Sequence, residues 1–255
     1  MDIIVTKDYD AMSRCAAGII AGVVRSKPDC ALGLATGSTP IGTYRELARM
    51  HEEGLDFSRV KTFNLDEYCG LEIELDKPYA CDQSYARFMH EEFFRNVNIR
   101  KENTRLPLGR AQDPEKSCLC YEEEIKKAGG IDLQLLGIGA DGHWAFNEPG
   151  SSLSSRTRVI GLAQQTIDDN YESFFKKAGI QKEKMPRQAV TMGIGTILEA
   201  KQLLMIASGG KKAQVIAKAL EGPVTSQITA SAIHLFRGNA KVVLDEPAAA
   251  KLSRR

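Results

Sequence analysis

The stretch Ala31-Leu-Gly-Leu-Ala-Thr-Gly-Ser-Thr-Pro-Ile-Gly-Thr-Tyr-Arg-Glu-Leu-Ala-Arg-Met-His51 decides the fold. It opens with an apolar run, Ala31–Ala35, of the length of a buried strand. Thr36-Gly37-Ser38-Thr39-Pro40 interrupts it, and Ile41–His51 then carries apolar residues at helical spacing. Gly37 permits a tight turn, Ser38 or Thr39 can cap the helix, and Pro40 suits its first position. This is a strand, a glycine turn and a helix in immediate succession.

The same unit recurs along the chain. Val60–Leu65, Leu133–Ile138, Gln202–Ser208 and Lys241–Leu244 read as buried strands, and the chain begins with a strand-like Met1-Asp2-Ile3-Ile4-Val5. Helical patterns lie between them. Gln83–Asn96 places Phe88, Phe93 and Phe94 on its apolar side, Cys118–Ala128 stops at Gly129-Gly130, and Ala213–Leu220 stops at Gly222-Pro223. Strand–helix alternation predicts a single α/β domain over residues 1–255. Its sheet is mostly parallel and covered by helices on both faces, a Rossmann-like arrangement. In such sheets ligands bind beyond the carboxyl ends of the strands.

Composition narrows the partners. Lys and Arg number 34 against 33 Asp and Glu, for a net charge of +1. No basic stripe points to nucleic acid, and a small anion would have to be held by local groups. No stretch approaches the roughly 18 apolar residues of a membrane span. The N-terminus has no basic, apolar leader pattern. Six cysteines show no paired zinc spacing and read as reduced thiols of a cytoplasmic protein.

The residues after the strands carry the chemistry. Residues 36–40 present free N–H groups at a helix start, which serves either as a plain cap or as a phosphate site. They lack the Gly-Lys-Ser/Thr ending of a Walker A loop. Ser208-Gly209-Gly210-Lys211-Lys212 forms a second such junction, with lysines that oppose the helix dipole unless an anion is bound. Two junctions in one sheet strengthen the phosphate reading. Asp66-Glu67-Tyr68 follows the strand at 60–65, so Asp66 is a turn aspartate or a general base with a raised pKa. Gly137-Ile-Gly-Ala-Asp-Gly-His-Trp-Ala-Phe-Asn-Glu-Pro149 places Asp141, His143 and Glu148 after another strand. Its three glycines mimic a dinucleotide fingerprint, but Pro149-Gly150 leaves no room for the helix such a loop needs. Asp141 can fix the tautomer of His143 or hold a proton on it. His51, His90 and His234 read as structural.

Thr36-Gly-Ser-Thr-Pro40, Phe63-Asn-Leu-Asp-Glu-Tyr68, Gly137-Ile-Gly-Ala-Asp-Gly-His143 and Phe146-Asn-Glu-Pro149 together resemble the glucosamine-6-phosphate deaminases. Ser151-Ser-Leu-Ser-Ser-Arg-Thr-Arg158, Ala189-Val-Thr-Met-Gly-Ile-Gly195 and Asp245-Glu-Pro247 extend the resemblance in order from about residue 30 to 247. It implies conversion of glucosamine 6-phosphate and water to fructose 6-phosphate and ammonia, with no metal or organic cofactor. It further implies that Asp66 moves the proton between C2 and C1. His143 assists ring opening, tuned by Asp141 and Glu148, while Gly37, Ser38, Thr39 and Lys212 hold the phosphate. The implied partner is a small amino-sugar phosphate, bound by a monomer or homo-oligomer. Galactosamine 6-phosphate as substrate, a 6-phosphogluconolactonase and a non-catalytic sugar-phosphate sensor are the alternatives.

The chain departs from that pattern in places. The resemblance implies a lid over residues 162–187 whose arginine grips the phosphate, yet Ser173 stands where that arginine is expected. Lys176, Lys177 or Arg187 is the expected substitute. A lysine there would give a point charge without the bidentate fork. Ile160 replaces a lysine of allosterically activated members, and the chain ends at Arg255, short of their C-terminal helix. Both argue against such activation and leave their hexamer open. An insertion around Glu74–Ala80, with Cys81 after it, and Ile233-His234-Leu235 also differ from the usual pattern.

Overall fold

The computed structural model describes residues 1–71, 84–109, 111–176 and 179–253, with only the backbone at positions 173 and 174. The expected insertion at Glu74–Ala80 and Cys81 lie outside the described residues. Strand β1 (Asp2–Thr6) leads to α1 (Tyr9–Ser26), β2 (Ala31–Leu34) to α2 (Ile41–Glu52), and β3 (Lys61–Asn64) to the short β4 (Asp66–Tyr68). Then come α3 (Tyr85–Glu92), β5 (Thr104–Arg105), α4 (Pro114–Lys127), β6 (Leu133–Leu136), β7 (Arg158–Gly161) and α5 (Gln164–Asn170). The chain closes through β8 (Gln188–Thr191), α6 (Ile194–Ile197), β9 (Gln202–Ala207), α7 (Ala213–Glu221), β10 (Asn239–Asp245) and α8 (Glu246–Ala249).

Seven strands form one sheet in the order β1-β10-β9-β6-β2-β3-β5, and every pairing in it is parallel. All residues of β2 and β6 are buried. Since successive side chains point to opposite faces, both faces are covered, as the continuous apolar runs require. From β2 the chain builds outward to β3 and β5, and from β6 it builds the other way to β9 and β10. The strand order therefore reverses between β2 and β6. That is where an open parallel sheet leaves a crevice at its carboxyl edge.

Helix α1 packs on α2 and on the strands β1, β9 and β10. It buries Met12, Ala16, Ala17, Ile20, Ala21 and Val24 along one stripe. Asp8 caps it by accepting the Ala11 N–H at 2.8 Å. Each large aliphatic side chain buried on that stripe contributes about 1.5–3 kcal/mol, and Ile20→Ala would cost about 2–5 kcal/mol. Among the described residues no helix is long and apolar enough to cross a membrane.

Three features differ from what the sequence predicts. Ser38 and Thr39 do not cap α2 with their side chains, and Pro40 is its cap residue rather than its first helical one. Instead Gly42 donates its N–H to Tyr9 Oη at 2.8 Å, and Tyr9 Oη donates to the Ser38 carbonyl at 3.2 Å. The helix expected over Gln83–Asn96 is split into α3 and a 3₁₀ turn at Phe94–Asn96. A second sheet of order β4-β8-β7, wholly antiparallel, stands beside the main one and carries Asp66 paired with Thr191.

Candidate active site

A cleft of about 630 Å³ opens at the carboxyl edge of the main sheet. The turns after β2, β3, β6 and β9 form its floor, through Thr36–Pro40, Leu65-Asp66, Gly137–Ala140 and Lys211-Lys212. Its roof is α5 and the turn after it, through Thr166, Asp169, Asn170 and Glu172. Four strand ends and two glycine junctions thus converge on one space, on both sides of the reversal in strand order.

Asp66 is the first residue of β4, and it is buried. Burial, with the neighbouring Glu67 carboxylate adding to it, pushes its pKa up to about 8, against a hydrogen bond from Thr36. A carboxyl group with such a pKa can both take up and release a proton near neutral pH. Glu67 plays a different part. Its carboxylate accepts Tyr68 N–H at 2.9 Å, Tyr85 N–H at 3.0 Å, Ala86 N–H at 2.9 Å and the Ser84 hydroxyl at 2.8 Å. It fastens the N-terminus of α3, whose first residue, Tyr85, reaches into the cleft.

His143 lines the cleft while Asp141 stands behind it. His143 Nδ1 lies 2.6 Å from Asp141 Oδ1, and the His143 N–H donates to the same oxygen at 3.2 Å. Burial raises the Asp141 carboxyl, but its contacts with the His143 ring and with backbone N–H groups outweigh this and hold it below the usual range. With Nδ1 beside the Asp141 carboxylate, Nε2 is the nitrogen left to face a ligand. Gly139 makes room for the ring. A Cβ at that position would stand 2.3 Å from His143 Cε1.

The loop beyond His143 is tightly held. Trp144 N–H donates to Thr229 Oγ1 at 3.2 Å and Phe146 N–H to Thr191 Oγ1 at 3.1 Å. The fully buried Asn147 donates to the carbonyls of Trp144 and Met192 at 3.0 and 2.8 Å. These bonds keep Ala145 at φ 51°, a left-handed conformation that costs energy for a residue with a Cβ, on the wall of the cleft. No helix follows Gly142, as the sequence predicts.

At the opposite end, Gly37 has φ 113° and Gly209 has φ 89°, so both turns use conformations that favour glycine. Asp245, at the end of β10, shapes the second turn by accepting Gly209 N–H at 3.0 Å, Ala248 N–H at 2.8 Å and the Ser208 hydroxyl. Lys212 Nζ donates to the Ile138 carbonyl at 2.8 Å, and burial lowers its pKa despite the fields of Asp141 and Asp169. Gly37, Ser38, Thr39, Lys211 and Lys212 all line the cleft. Backbone N–H groups and lysines converging on one space are groups able to hold an anion such as a phosphate dianion.

Of the residues singled out in the sequence, Asp66, His143, Gly37, Ser38, Thr39 and Lys212 come together. Glu148 does not join them. Its carboxylate accepts the Ala163 N–H at the start of α5. Lys176 is exposed and pairs with Glu172 at 2.9 Å. Arg187 lines a separate small pocket with Lys182 and Met185. Neither faces the cleft, so neither is placed to supply the missing lid cation. Lys177 lies outside the described residues, as does the side chain of Ser173, on the π-helical turn Tyr171–Phe175. Lys211 is the second cation of the cleft instead. Tyr9 and Tyr85 carry no signal in the sequence, and the motifs that contain Asp245 and Thr191 do not disclose their hydrogen bonds, because these roles depend on pairings distant along the chain. Among the described residues no group of three or more His, Cys, Asp and Glu side chains has the arrangement of a metal site.

A family model described as glucosamine-6-phosphate isomerases/6-phosphogluconolactonase matches residues 8–243. The glucosamine-6-phosphate deaminase of Clostridioides difficile (strain 630) is 46% identical over 254 residues, covering 99% of this chain and 97% of its own. Glucosamine-6-phosphate deaminase 1 of Giardia intestinalis is 50% identical over 230 residues, 88% of this chain and 83% of its own. Among solved structures, a monomeric glucosamine-6-phosphate deaminase superposes with a TM-score of 0.91 at 40% identity, covering 98% of this chain and all of its own. The 6-phosphogluconolactonase of Trypanosoma cruzi, at 20% identity and a TM-score of 0.75, covers 99% of this chain and 97% of its own, and shares the fold.

Proposed function

The chain belongs to the glucosamine-6-phosphate isomerase/6-phosphogluconolactonase family, and we propose that within it this protein is a glucosamine-6-phosphate deaminase. It converts glucosamine 6-phosphate and water to fructose 6-phosphate and ammonia. One observation carries the reading. A buried carboxyl poised near neutrality and a carboxylate-backed imidazole face one cleft whose far end is a phosphate cradle.

The chemistry divides between them. The phosphate settles on the turns at Gly37–Thr39 and Lys211-Lys212, a remote handle that fixes the sugar. His143, held by Asp141, passes a proton between O1 and the ring oxygen, and the C1–O5 bond breaks to give the open aldehyde. Asp66 takes the proton from C2 and returns it to C1. The electron pair released at C2 forms the double bond of an enolamine as the aldehyde oxygen takes a proton from the C2 ammonium, and when C1 is protonated the nitrogen lone pair closes a C2 iminium beside a C1 alcohol. Water adds to the iminium carbon, and ammonia leaves with the C–N bond. Glu148 acts on this sequence through the lid it anchors. We place the substrate as a free small molecule and the enzyme as a cytoplasmic monomer or homo-oligomer. The monomeric state of the 40% identical relative supports the first of these.

The test is direct. The purified protein is incubated separately with glucosamine 6-phosphate, galactosamine 6-phosphate and 6-phosphogluconolactone, and ammonia and ketose phosphate are measured. Ammonia and fructose 6-phosphate are expected from the first. No ammonia from it overturns the reading.

A further inference from the structure

The turn after β2 is held from outside the cleft by a tyrosine that the reaction steps leave unused. Tyr9 is the first residue of α1. Its hydroxyl accepts the Gly42 N–H at 2.8 Å and donates to the Ser38 carbonyl at 3.2 Å. Both roles are forced, because an N–H only donates and a carbonyl only accepts. One hydroxyl thus bridges the turn to the second residue of α2. Glycine at position 42 allows the approach. A Cβ there would stand 2.3 Å from Ser13 Oγ and 2.9 Å from Tyr9 Oη.

The bridge sets the direction of one peptide. The unit between Ser38 and Thr39 is planar and trans, so its C=O and its N–H point opposite ways. Ser38 and Thr39 line the cleft, and Tyr9 is not among the residues that do. With the Ser38 carbonyl drawn to Tyr9, the Thr39 N–H is turned the other way, toward the cleft. Neither Ser38 nor Thr39 caps α2 with its side chain, and Pro40 has no N–H to contribute.

The direction matters to an anion. A backbone N–H attracts a phosphate oxygen, and a carbonyl oxygen repels it. If this peptide turned over, the turn would lose one donor and present an opposed dipole in the same place.

We propose that Tyr9 is a positioning residue for the phosphate, holding the Ser38–Thr39 peptide so that its N–H faces the anion and its carbonyl does not. The inference rests on the reading of Gly37–Thr39 as part of the phosphate site. Tyr9 acts through the turn and does not line the cleft, so its effect falls on binding more than on chemistry.

The experiment compares Tyr9→Phe and Ile20→Val with the parent. Phenylalanine keeps the ring that packs against the core and removes only the hydroxyl. Ile20→Val loosens the same helix at a buried position away from the turn. Two readouts are taken: the affinity for inorganic phosphate, from a titration of nitrogen-15 amide spectra, and kcat and KM for glucosamine 6-phosphate. In the parent the Thr39 amide, assigned by its loss in Thr39→Ser, is expected to move as phosphate is added. In Tyr9→Phe the phosphate dissociation constant and KM should rise together by about three- to tenfold, the range of one neutral hydrogen bond, with kcat changing less. Ile20→Val should lower the melting temperature and keep the phosphate affinity of the parent. An unchanged phosphate affinity in Tyr9→Phe, or an equal loss in Ile20→Val, overturns the proposal. So does a Thr39 amide that does not respond to phosphate in the parent. The titration needs no sugar. A parent protein that releases no ammonia would sink the deaminase reading, and the phosphate titration would still decide the role of Tyr9.

Discussion

Glu148 and Ala163 are tied across the roof of the cleft, with both carboxylate oxygens 2.9 Å from the Ala163 N–H. Ala163 is the cap residue of α5, where an N–H is otherwise unpaired and the helix end is positive. The tie joins the loop that carries His143 to the helix that lines the cleft from above. Glu148→Ala is expected to speed hydrogen exchange over residues 163–170. It should also cut kcat/KM by about ten- to a hundredfold, the range of one lost charged hydrogen bond. Glu148→Gln, which keeps an acceptor, should fall between. Exchange unchanged in both variants would show that α5 does not depend on this bond.

Lys212 and Lys176 should behave oppositely on truncation. Lys212→Ala removes a partly buried cation from the cleft, and KM is expected to rise about ten- to a hundredfold with kcat less affected. Lys176→Ala and Arg187→Ala remove exposed groups that do not face it. Each should change KM by less than about twofold. Steady-state kinetics at fixed ionic strength decide the matter, and a large KM effect at Lys176 or Arg187 would mean that the lid closes further than it does here.

Gly139→Ala should damage chemistry and spare binding. The added methyl would overlap the His143 ring, 2.3 Å from Cε1, so the ring must turn away from Asp141. General acid–base assistance accounts for about a hundred- to ten-thousandfold. The expected result is a fall in kcat within that range, with the affinity for inorganic phosphate kept. Loss of phosphate binding would mean instead that the whole turn had moved.

Asp66→Asn should stabilise the fold as the pH rises. The folded carboxyl titrates at about 8, against about 3.9 in an unfolded chain. Between those values the folded protein keeps the proton and the unfolded chain has released it. Stability from this group is thus full below about pH 4, falls as the pH rises, and levels off above about pH 8. The variant lacks this dependence. Its melting temperature should exceed that of the parent most at about pH 8, with the gap closing toward about pH 5. A gap that does not vary with pH would place Asp66 outside the buried environment described.

Much of this was legible in the sequence. The strands of the parallel sheet are buried on both faces, so they appear as unbroken apolar runs, and the turns after them could be located. The antiparallel sheet was not legible, because Asp66-Glu67-Tyr68 is short and polar and pairs with residues more than a hundred positions away. That sheet sets the direction of Asp66 and contributes Thr191 to the His143 loop. Helix α1 is not legible either, and with it Tyr9, which accepts the Gly42 N–H of α2 from a distance. Asp141 and His143 were legible because they are neighbours. Glu148 looked like their partner on the same ground, but the reversal of the chain at Pro149 turns it toward α5.

Glu67 has a further consequence for the geometry of the base. By accepting from the backbone N–H groups of Tyr68, Tyr85 and Ala86 and from the Ser84 hydroxyl, one carboxylate ties Tyr68 to the start of α3. The position of Tyr85 relative to Asp66 is thereby fixed through Glu67, the neighbour of Asp66 on β4. Loss of the Glu67 carboxylate would release the start of α3, and with it Tyr85, from the strand that carries Asp66.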